Sequence, residues 1–491
     1  MAKTNLKKPA IDINDEREIR LRKLAELVSA GISPYPSSSE RADYIVTAAA
    51  KKAGTKTQIA GRLMSKRAMG KLTFGHLQDE SGRIQIVLRA DQVKDPLYQR
   101  FGNQIDIGDI LTVTGERFVT KKGEESVLVH TWNILAKAVR PLPDKFHGLK
   151  DEELRLRKRY LDLLLDGEAR ALFRRKARFW QSTREFLIGE GFLEVETPVL
   201  EVTSGGADAN PFVTRHDALD LDVYLRISNG ELWQKRLMVA GFEKTFEIGR
   251  QFRNEGISRE HLQDYTQMEF YWAYADYRDG MTLARRLYQH VIHETFGKLK
   301  FDIGQFTNVD LSGEWPMISY AETIKKMTGV DVLGAGDKAL KLKLQDLNVP
   351  YERDAAGGRL MDALWKHCRK EIKGPVFLID LPVAVSPLAK RKADNSALTE
   401  RYQIILAGTE VGNGYSELND PLDQAERFAE QQAQRAAGDR EAQMFDHDFV
   451  EALEYGMPPT TGFGVSERLF SVLEDKPIRE CVLFPLVKPA P

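Results

Sequence analysis

Cysteine is nearly absent: Cys368 and Cys481 are the only two in 491 residues. Two such distant thiols build neither a disulfide framework nor a zinc cluster, and a reducing cytoplasm is the expected compartment. No apolar stretch reaches the roughly 20 residues of a membrane span, so no membrane partner is expected. The opening segment MAKTNLKKPA lacks the apolar core of a secretion signal. An excess of charge of one sign is missing too, since 71 Lys and Arg face 72 Asp and Glu. That balance is uneven along the chain. Residues 1–145 hold 25 Lys and Arg against 17 Asp and Glu, and the remainder holds 46 against 55. A basic N-terminal part suits contact with phosphates, although a merely solvated surface accounts for the same counts. There is no internal repeat and no low-complexity tract.

What is present is the material of a globular protein, with 42% hydrophobic and 29% charged residues. The length predicts two or three domains. Helical periodicity in residues 15–30 (Ile19, Leu21, Leu24, Leu27, Val28) stops at Gly31, and Pro34 and Pro36 open a connector. Between residues 57 and 137 the pattern changes to five short alternating runs, at 58–63, 72–77, 84–88, 110–114 and 127–135. Five short strands with glycine and charged turns predict a small barrel of OB type. Pro141 and Pro143 mark a linker. Beyond it, helices are expected over 152–165 and 169–189, and mainly strands over 192–272. Helices follow over 278–296 and 317–373, the latter an insertion outside any sheet, with strands at 376–381 and 402–406. A helix at 422–437 and a strand–helix pair at 460–475 complete the pattern. Strands mixed with helices, without regular βαβ repeats, predict an α+β fold with a largely antiparallel sheet. The domain expectation is therefore 1–56 as helix and connector, 57–145 as barrel, and 146–491 as an α+β domain with a helical insertion at about 317–373.

The most informative stretch is Phe252-Arg253-Asn254-Glu255-Gly256-Ile257-Ser258-Arg259-Glu260-His261 and its continuation Leu262-Gln263-Asp264-Tyr265-Thr266-Gln267-Met268-Glu269-Phe270-Tyr271. It reads as two strands joined by a polar loop. Arg253 and Glu255, two apart on a strand, project from one face, where an Arg can meet charge building on a phosphate. The stretch resembles the second signature motif of class II aminoacyl-tRNA synthetases, the lysine-specific branch in particular. The resemblance implies ATP as substrate. It gives Arg253 to the α-phosphate, Glu255 to the adenine amino group, His261 to the γ-phosphate and Tyr265 to stacking on adenine.

Two further segments are similar to the other class motifs. The run Gly191-Phe192-Leu193-Glu194-Val195-Glu196-Thr197-Pro198 resembles the first, which implies a homodimer. The run Thr460-Thr461-Gly462-Phe463-Gly464-Val465-Ser466-Glu467-Arg468 resembles the third, with Arg468 matching the residue that holds the γ-phosphate. That third segment is one residue shorter than the lysine-branch pattern, which bears on the placement of Ser466 and Glu467.

The segment Glu410-Val411-Gly412-Asn413-Gly414-Tyr415-Ser416-Glu417 assigns the amino acid. By resemblance, Glu417 receives the lysine ε-ammonium, Asn413 contacts the substrate carboxylate, and Glu231 takes the α-ammonium near Gly206. Glu269 and Tyr271 complete the side-chain end. Two ammonium groups call for two fixed carboxylates, whereas an aspartate-specific site needs a cation where Glu417 stands. Glu410 matches a carboxylate for Mg²⁺, and the second acidic position of the family is Gln403 here. Glu260 stands where the family carries a basic residue, and an acid there repels ATP phosphates unless it points away or pairs with Arg259.

In the N-terminal part, Gly61 to Gln85 resembles the anticodon-binding OB domain of the lysine, aspartate and asparagine enzymes. Phe74 matches the residue that stacks the central anticodon base, with Arg67 and Gln85 as its hydrogen-bonding partners. The implied activity is ATP-dependent ligation of lysine to tRNA(Lys) through a lysyl-adenylate. The alternatives are the same enzyme type specific for Asn or Asp, and a catalytically impaired paralogue acting as an RNA-binding or regulatory protein.

Overall fold

The computed structural model describes residues 13–143, 149, 151–352, 355–439 and 441–489. Residues 1–12 of the expected N-terminal segment, and 144–148 and 150 around the expected domain boundary, lie outside the described residues. The chain divides into two compact units, Met1–Lys150 and Asp151–Pro491.

In the first unit, a helix Ile13–Ser29 and a short helix Ile45–Ala50 precede five strands: β1 (Lys56–Met69), β2 (Leu72–Gln78), β3 (Arg83–Arg89), β4 (Ile110–Val119) and β5 (Glu125–Ala136). They close into a barrel in the order β1-β2-β3-β5-β4. Alternation along β2 sends Thr73, Gly75 and Leu77 inward and leaves Phe74 and His76 half-buried on the outside. The interior is filled by Leu63, Leu77, Ile86, Leu111, Val113 and Val129. A register shift between Leu63 and Ser65 lets the long β1 bend around the barrel.

The second unit carries the strands β6 (Leu193–Glu194), β7 (Leu200–Glu201), β8 (Val213–His216), β9 (Leu221–Leu225), β10 (Lys244–Phe252), β11 (Asp264–Ala273), β12 (Lys300–Ile303), β13 (Phe306–Asp310), β14 (Met317–Ser319), β15 (Val376–Ile379), β16 (Arg401–Leu406), β17 (Thr409–Ser416) and β18 (Thr460–Ser466). Eight of them form one sheet, in the order β14-β15-β16-β17-β18-β11-β10-β6. Pairing is antiparallel through its centre and parallel only at the two edges, β14 with β15 and β6 with β10. The fold class is α+β, with an antiparallel-rich sheet flanked by helices.

One face of this sheet is apolar. Met268 and Phe270 of β11, Phe463 and Val465 of β18 and Ile404 of β16 pack against Leu172, Phe179 and Leu187 of the helix Gly167–Gly189 and Leu283, Leu287 and Val291 of the helix Tyr277–Phe296. Each such side chain stabilises the fold by about 1.5–3 kcal/mol. The opposite face carries the site.

Two stretches differ from the sequence expectation. The region 192–272 includes a helix, Glu231–Val239. The region 317–373 opens with β14, an edge strand of the large sheet, before its helices Tyr320–Thr328, Asp337–Asp346 and Gly358–Cys368. Three residues are too few to show a period of two. These helices share a core with the sheet, since Ile324, Leu344, Leu360 and Leu364 cluster with Val376, Leu378 and Ile405.

Candidate active site

Strand alternation lines up rows of polar side chains on the open face of the sheet. Glu269, Gly464, Asn413 and Gln403 are successive partners across β11, β18, β17 and β16. The next row is Tyr271, Gly462, Tyr415 and Arg401. Glycine in the middle of each row keeps the floor open. A Cβ on Gly462 would collide with the Glu417 carboxylate and the Tyr271 ring. One cavity stands on this floor, and Gly206, Glu231, Arg253, Tyr265, Glu269, Tyr271, Glu410, Asn413, Glu417 and Arg468 all line it.

At one end lie carboxylates. Glu231 opens its helix, Glu417 follows β17, and Glu269 lies on β11; they are 6%, 1% and 5% exposed. Burial, against which the charge of Lys235 works, pushes the Glu417 carboxyl up to about 8. Burial and the nearby Glu231 push Glu269 up to about 7. Glu269 accepts from the Asn229 backbone N–H at 3.0 Å and from the Tyr271 hydroxyl at 3.1 Å. The Tyr415 hydroxyl donates to Glu231. Gly206, at φ +86°, donates its N–H to Gln443 Oε1 at 3.3 Å. A Cβ there would run into Ser228 and Glu231, so the close approach of this loop to Glu231 requires glycine.

At the other end lie guanidinium groups. Arg253 donates Nε–H to the Ile227 carbonyl at 3.2 Å and sits 5.8 Å from the centre of the Tyr265 ring. Arg468 donates to the carbonyls of Glu260 (3.2 Å) and Glu410 (3.3 Å). Its placement follows from what the shortened third motif does. β18 ends at Ser466, whose hydroxyl accepts from the Arg468 N–H. Glu467 turns inward to pair with Lys176, and Arg468 starts the next helix facing the cavity.

Arg253 and Glu255 do not share a strand, contrary to the sequence reading. β10 ends at Phe252, and only one further ladder bond, Arg253 N–H to the Gln263 carbonyl at 2.8 Å, extends the hairpin. Beyond it the loop breaks the alternation. Glu255 is half-buried in the loop and His261 is exposed, and neither lines the cavity as Arg253 does. The His261 ring accepts from or donates to the Ser258 hydroxyl at 2.7 Å. Glu260 pairs with Arg369 at 3.3 Å, and Arg259 pairs with Asp475 at 3.0 Å instead.

Two cations carried no signal in the sequence. Lys235 lies one turn after Glu231 on a helix that was not expected. Arg401 donates Nε–H to Asn413 Oδ1 at 2.9 Å, fixing the amide.

For a divalent cation, the described residues hold no cluster of three His, Cys, Asp or Glu side chains. Glu410 lines the cavity, and the buried Gln403 Oε1 has no hydrogen-bond partner among the described residues. One carboxylate with a neutral amide oxygen fits a cation that takes its remaining ligands from nucleotide phosphates and water.

In the barrel, Arg67 and Phe74 face each other across β1 and β2. Arg67 is exposed and Phe74 half-buried. Gln85 is 8% exposed, with its amide donating to Glu124 at 2.7 Å and accepting from Ser126 at 2.9 Å.

Residues 151–488 match the family described as tRNA synthetases class II (D, K and N). Residues 57–135 match the OB-fold nucleic acid binding domain. A lysine–tRNA ligase of Pelotomaculum thermopropionicum is 45% identical over 488 residues, covering 97% of this chain and 96% of that protein. One from Carboxydothermus hydrogenoformans is 45% identical over 485 residues, covering 97% and 99%. One from Thermotoga maritima is 43% identical over 489 residues, covering 97% of both. The chain belongs to the class II tRNA synthetases of the aspartate, lysine and asparagine group, within the lysine–tRNA ligase family.

Proposed function

We propose that the cavity activates lysine with ATP and transfers it to tRNA(Lys). The observation that carries this reading is the pair of buried carboxylates, Glu231 and Glu417, lining a cavity whose other end holds Asn413 and Arg253. That is the complement of a molecule with two ammonium groups and one carboxylate. Glu417 takes the ε-ammonium and Glu231 the α-ammonium, with Gly206, Glu269 and Tyr271 closing that end. Asn413, held by Arg401, orients the carboxylate. An acidic amino acid would set its side-chain carboxylate against Glu417 and is rejected.

The lysine carboxylate attacks the α-phosphorus in line, and pyrophosphate leaves. The terminal ribose 3′-hydroxyl of tRNA then attacks the adenylate carbonyl and AMP departs. Catalysis is positioning and charge neutralisation. Arg253 meets the α-phosphate, Arg468 and His261 the γ-phosphate, Tyr265 stacks on adenine and Glu255 reads its amino group. Mg²⁺ held by Glu410 and the ATP phosphates would add positive charge at the leaving pyrophosphate.

The barrel reads the anticodon through Phe74, with Arg67 and Gln85 beside it. A homodimer is supported by the exposed apolar side chains Ile188, Leu193, Val199, Leu200 and Val202 around the first motif, a surface suited to a second copy of the chain. No described helix is long and apolar enough to cross a membrane. With both cysteines free and buried, the cytoplasm is the compartment this reading implies.

Amino-acid-dependent ATP–pyrophosphate exchange, run across all twenty amino acids with Mg²⁺ and without tRNA, tests the proposal. Exchange with lysine alone is expected. Exchange with none, from folded protein, means a silent RNA-binding paralogue.

A further inference from the structure

Behind the two substrate-facing carboxylates stands a cation that the reaction does not use. Lys235 is completely buried, with its Nζ 2.8 Å from Glu231 Oε1 and 2.5 Å from Glu417 Oε2. It is absent from the cavity wall that Glu231 and Glu417 form, so it backs them without obstructing the cavity. Its stem runs through an apolar shell, and the Tyr415 and Phe449 rings lie 5.5 and 5.9 Å from the ammonium. Glu231 and Lys235 are one helical turn apart, the favourable order for such a pair. The short contact to Glu417 Oε2 is a charge-assisted pair that works against the effect of burial on that carboxyl.

The charges explain why a fixed cation belongs there. Three buried carboxylates, Glu231, Glu269 and Glu417, converge on this end. Lysine brings two ammonium groups. The other groups facing the cluster are the hydroxyls of Tyr271, Tyr402 and Tyr415, and Arg253 and Arg401, which serve the opposite end; Arg236 is taken by Asp446 at 3.0 Å. We infer that Lys235 is a positioning and specificity-determining residue, a resident third ammonium that holds Glu231 and Glu417 in place and sets the pocket's charge deficit at two, the charge a diammonium substrate supplies. This rests on the assignment of Glu231 and Glu417 to the substrate ammonium groups. With Lys235 in place, bound lysine leaves no carboxylate unmatched. Without it, the carboxylates lose a charge that favours their ionised forms, so binding lysine must displace more protons from the empty pocket than in the parent enzyme.

The test compares Lys235→Met, Glu269→Gln and their double variant in pyrophosphate exchange from pH 7 to 9, with Glu417→Gln as control. Lys235→Met is expected to raise the lysine KM about a hundredfold at pH 7, the range for breaking a buried ion pair, while the ATP KM stays within about twofold. Its lysine KM should improve with rising pH more steeply than that of the parent enzyme. The double variant, with two carboxylates and no cation, restores the deficit of two and should bind lysine better than Lys235→Met alone. If Lys235→Met does not fold, the double variant should.

An unchanged lysine KM in Lys235→Met overturns the inference. So do parallel pH profiles, losses that simply add in the double variant, or failure of both variants to fold. If Glu417→Gln leaves the lysine KM unchanged, the assignment of the pocket itself fails, and the inference with it. If Glu417→Gln impairs lysine and Lys235→Met does not, only the inference fails.

Discussion

Glu260, the acidic residue just ahead of His261, turns its carboxylate onto Arg369 at 3.3 Å, in the one-turn helix Arg369–Glu371 that ends the 317–373 region. The same carboxylate accepts from the Thr409 hydroxyl at 3.4 Å, next to Glu410. Its backbone carbonyl receives Arg468 Nε–H at 3.2 Å. The acid that seemed misplaced near ATP phosphates is thus committed to a partner and fastens the loop beside Arg468.

Breaking that fastening should loosen the nucleotide end alone. The pair is partly exposed and contributes at most about 1 kcal/mol, which corresponds to roughly a fivefold rise in ATP KM for Glu260→Lys. The exchanged pair, Glu260→Arg with Arg369→Glu, should return the ATP KM to within about twofold of the parent value. A double variant no better than Glu260→Lys means that the loop is held by other contacts.

Arg253→Ala removes the guanidinium assigned to the α-phosphate. Loss of a donor aimed at developing charge costs about 10²–10³ in rate, and more when the donor is a full charge. Lysine-dependent pyrophosphate exchange should become undetectable while tRNA binding, measured by filter retention, is nearly unchanged. Normal exchange in this variant would remove Arg253 from the reaction.

The buried carboxylates make the lysine response depend on pH. Burial chiefly, with Glu231 as a like charge, pushes Glu417 up to about 8 and Glu269 up to about 7, from 4.5 for an exposed carboxyl. Folding therefore favours their protonated forms, and this contribution is complete below about 4.5 and is lost as pH rises through 7 to 8. Lysine supplies ammonium groups that favour the ionised forms. The rise in Tm at saturating lysine should accordingly be larger at pH 8 than at pH 6, and the lysine Kd should tighten by up to about tenfold per unit for each proton released. A pH-independent Tm shift would mean that these carboxylates are already ionised in the empty pocket.

What the sequence made legible, and what it hid, follows from the range of each signal. Strand alternation in residues 264–273 places Tyr265, Gln267, Glu269 and Tyr271 on one face without tertiary information, and β11 presents them so. Arg253 and Glu255 look like the same case but fail it, because β10 ends at Phe252, three residues short of Glu255. Lys235 was hidden for two reasons. Its helix is only nine residues long, and it follows strands of a small separate sheet. Its importance also comes from Glu417, 182 positions away in the chain and brought close only by the sheet. Glu260 could be flagged as a charge in the wrong place, but its partner Arg369 lies beyond any local pattern.

The barrel offers the last prediction. Phe74 lies on the outer face of β2, opposite Arg67 of β1, while the core is made by inward residues such as Leu63, Leu77 and Ile86. Gln85 spends its amide on Glu124 and Ser126, so on the proposed reading base recognition falls to stacking by Phe74 and to the exposed Arg67. A base stacked on an aromatic ring is held by about 1–3 kcal/mol, and Phe74→Ala should raise the tRNA KM roughly five- to 150-fold. Exchange of pyrophosphate with lysine should be unaffected, because activation needs only the second unit. Since Phe74 is outside the barrel core, the Tm should change little, which separates lost stacking from a damaged barrel. Unaltered aminoacylation kinetics in a folded Phe74→Ala protein would mean that this face does not read the anticodon.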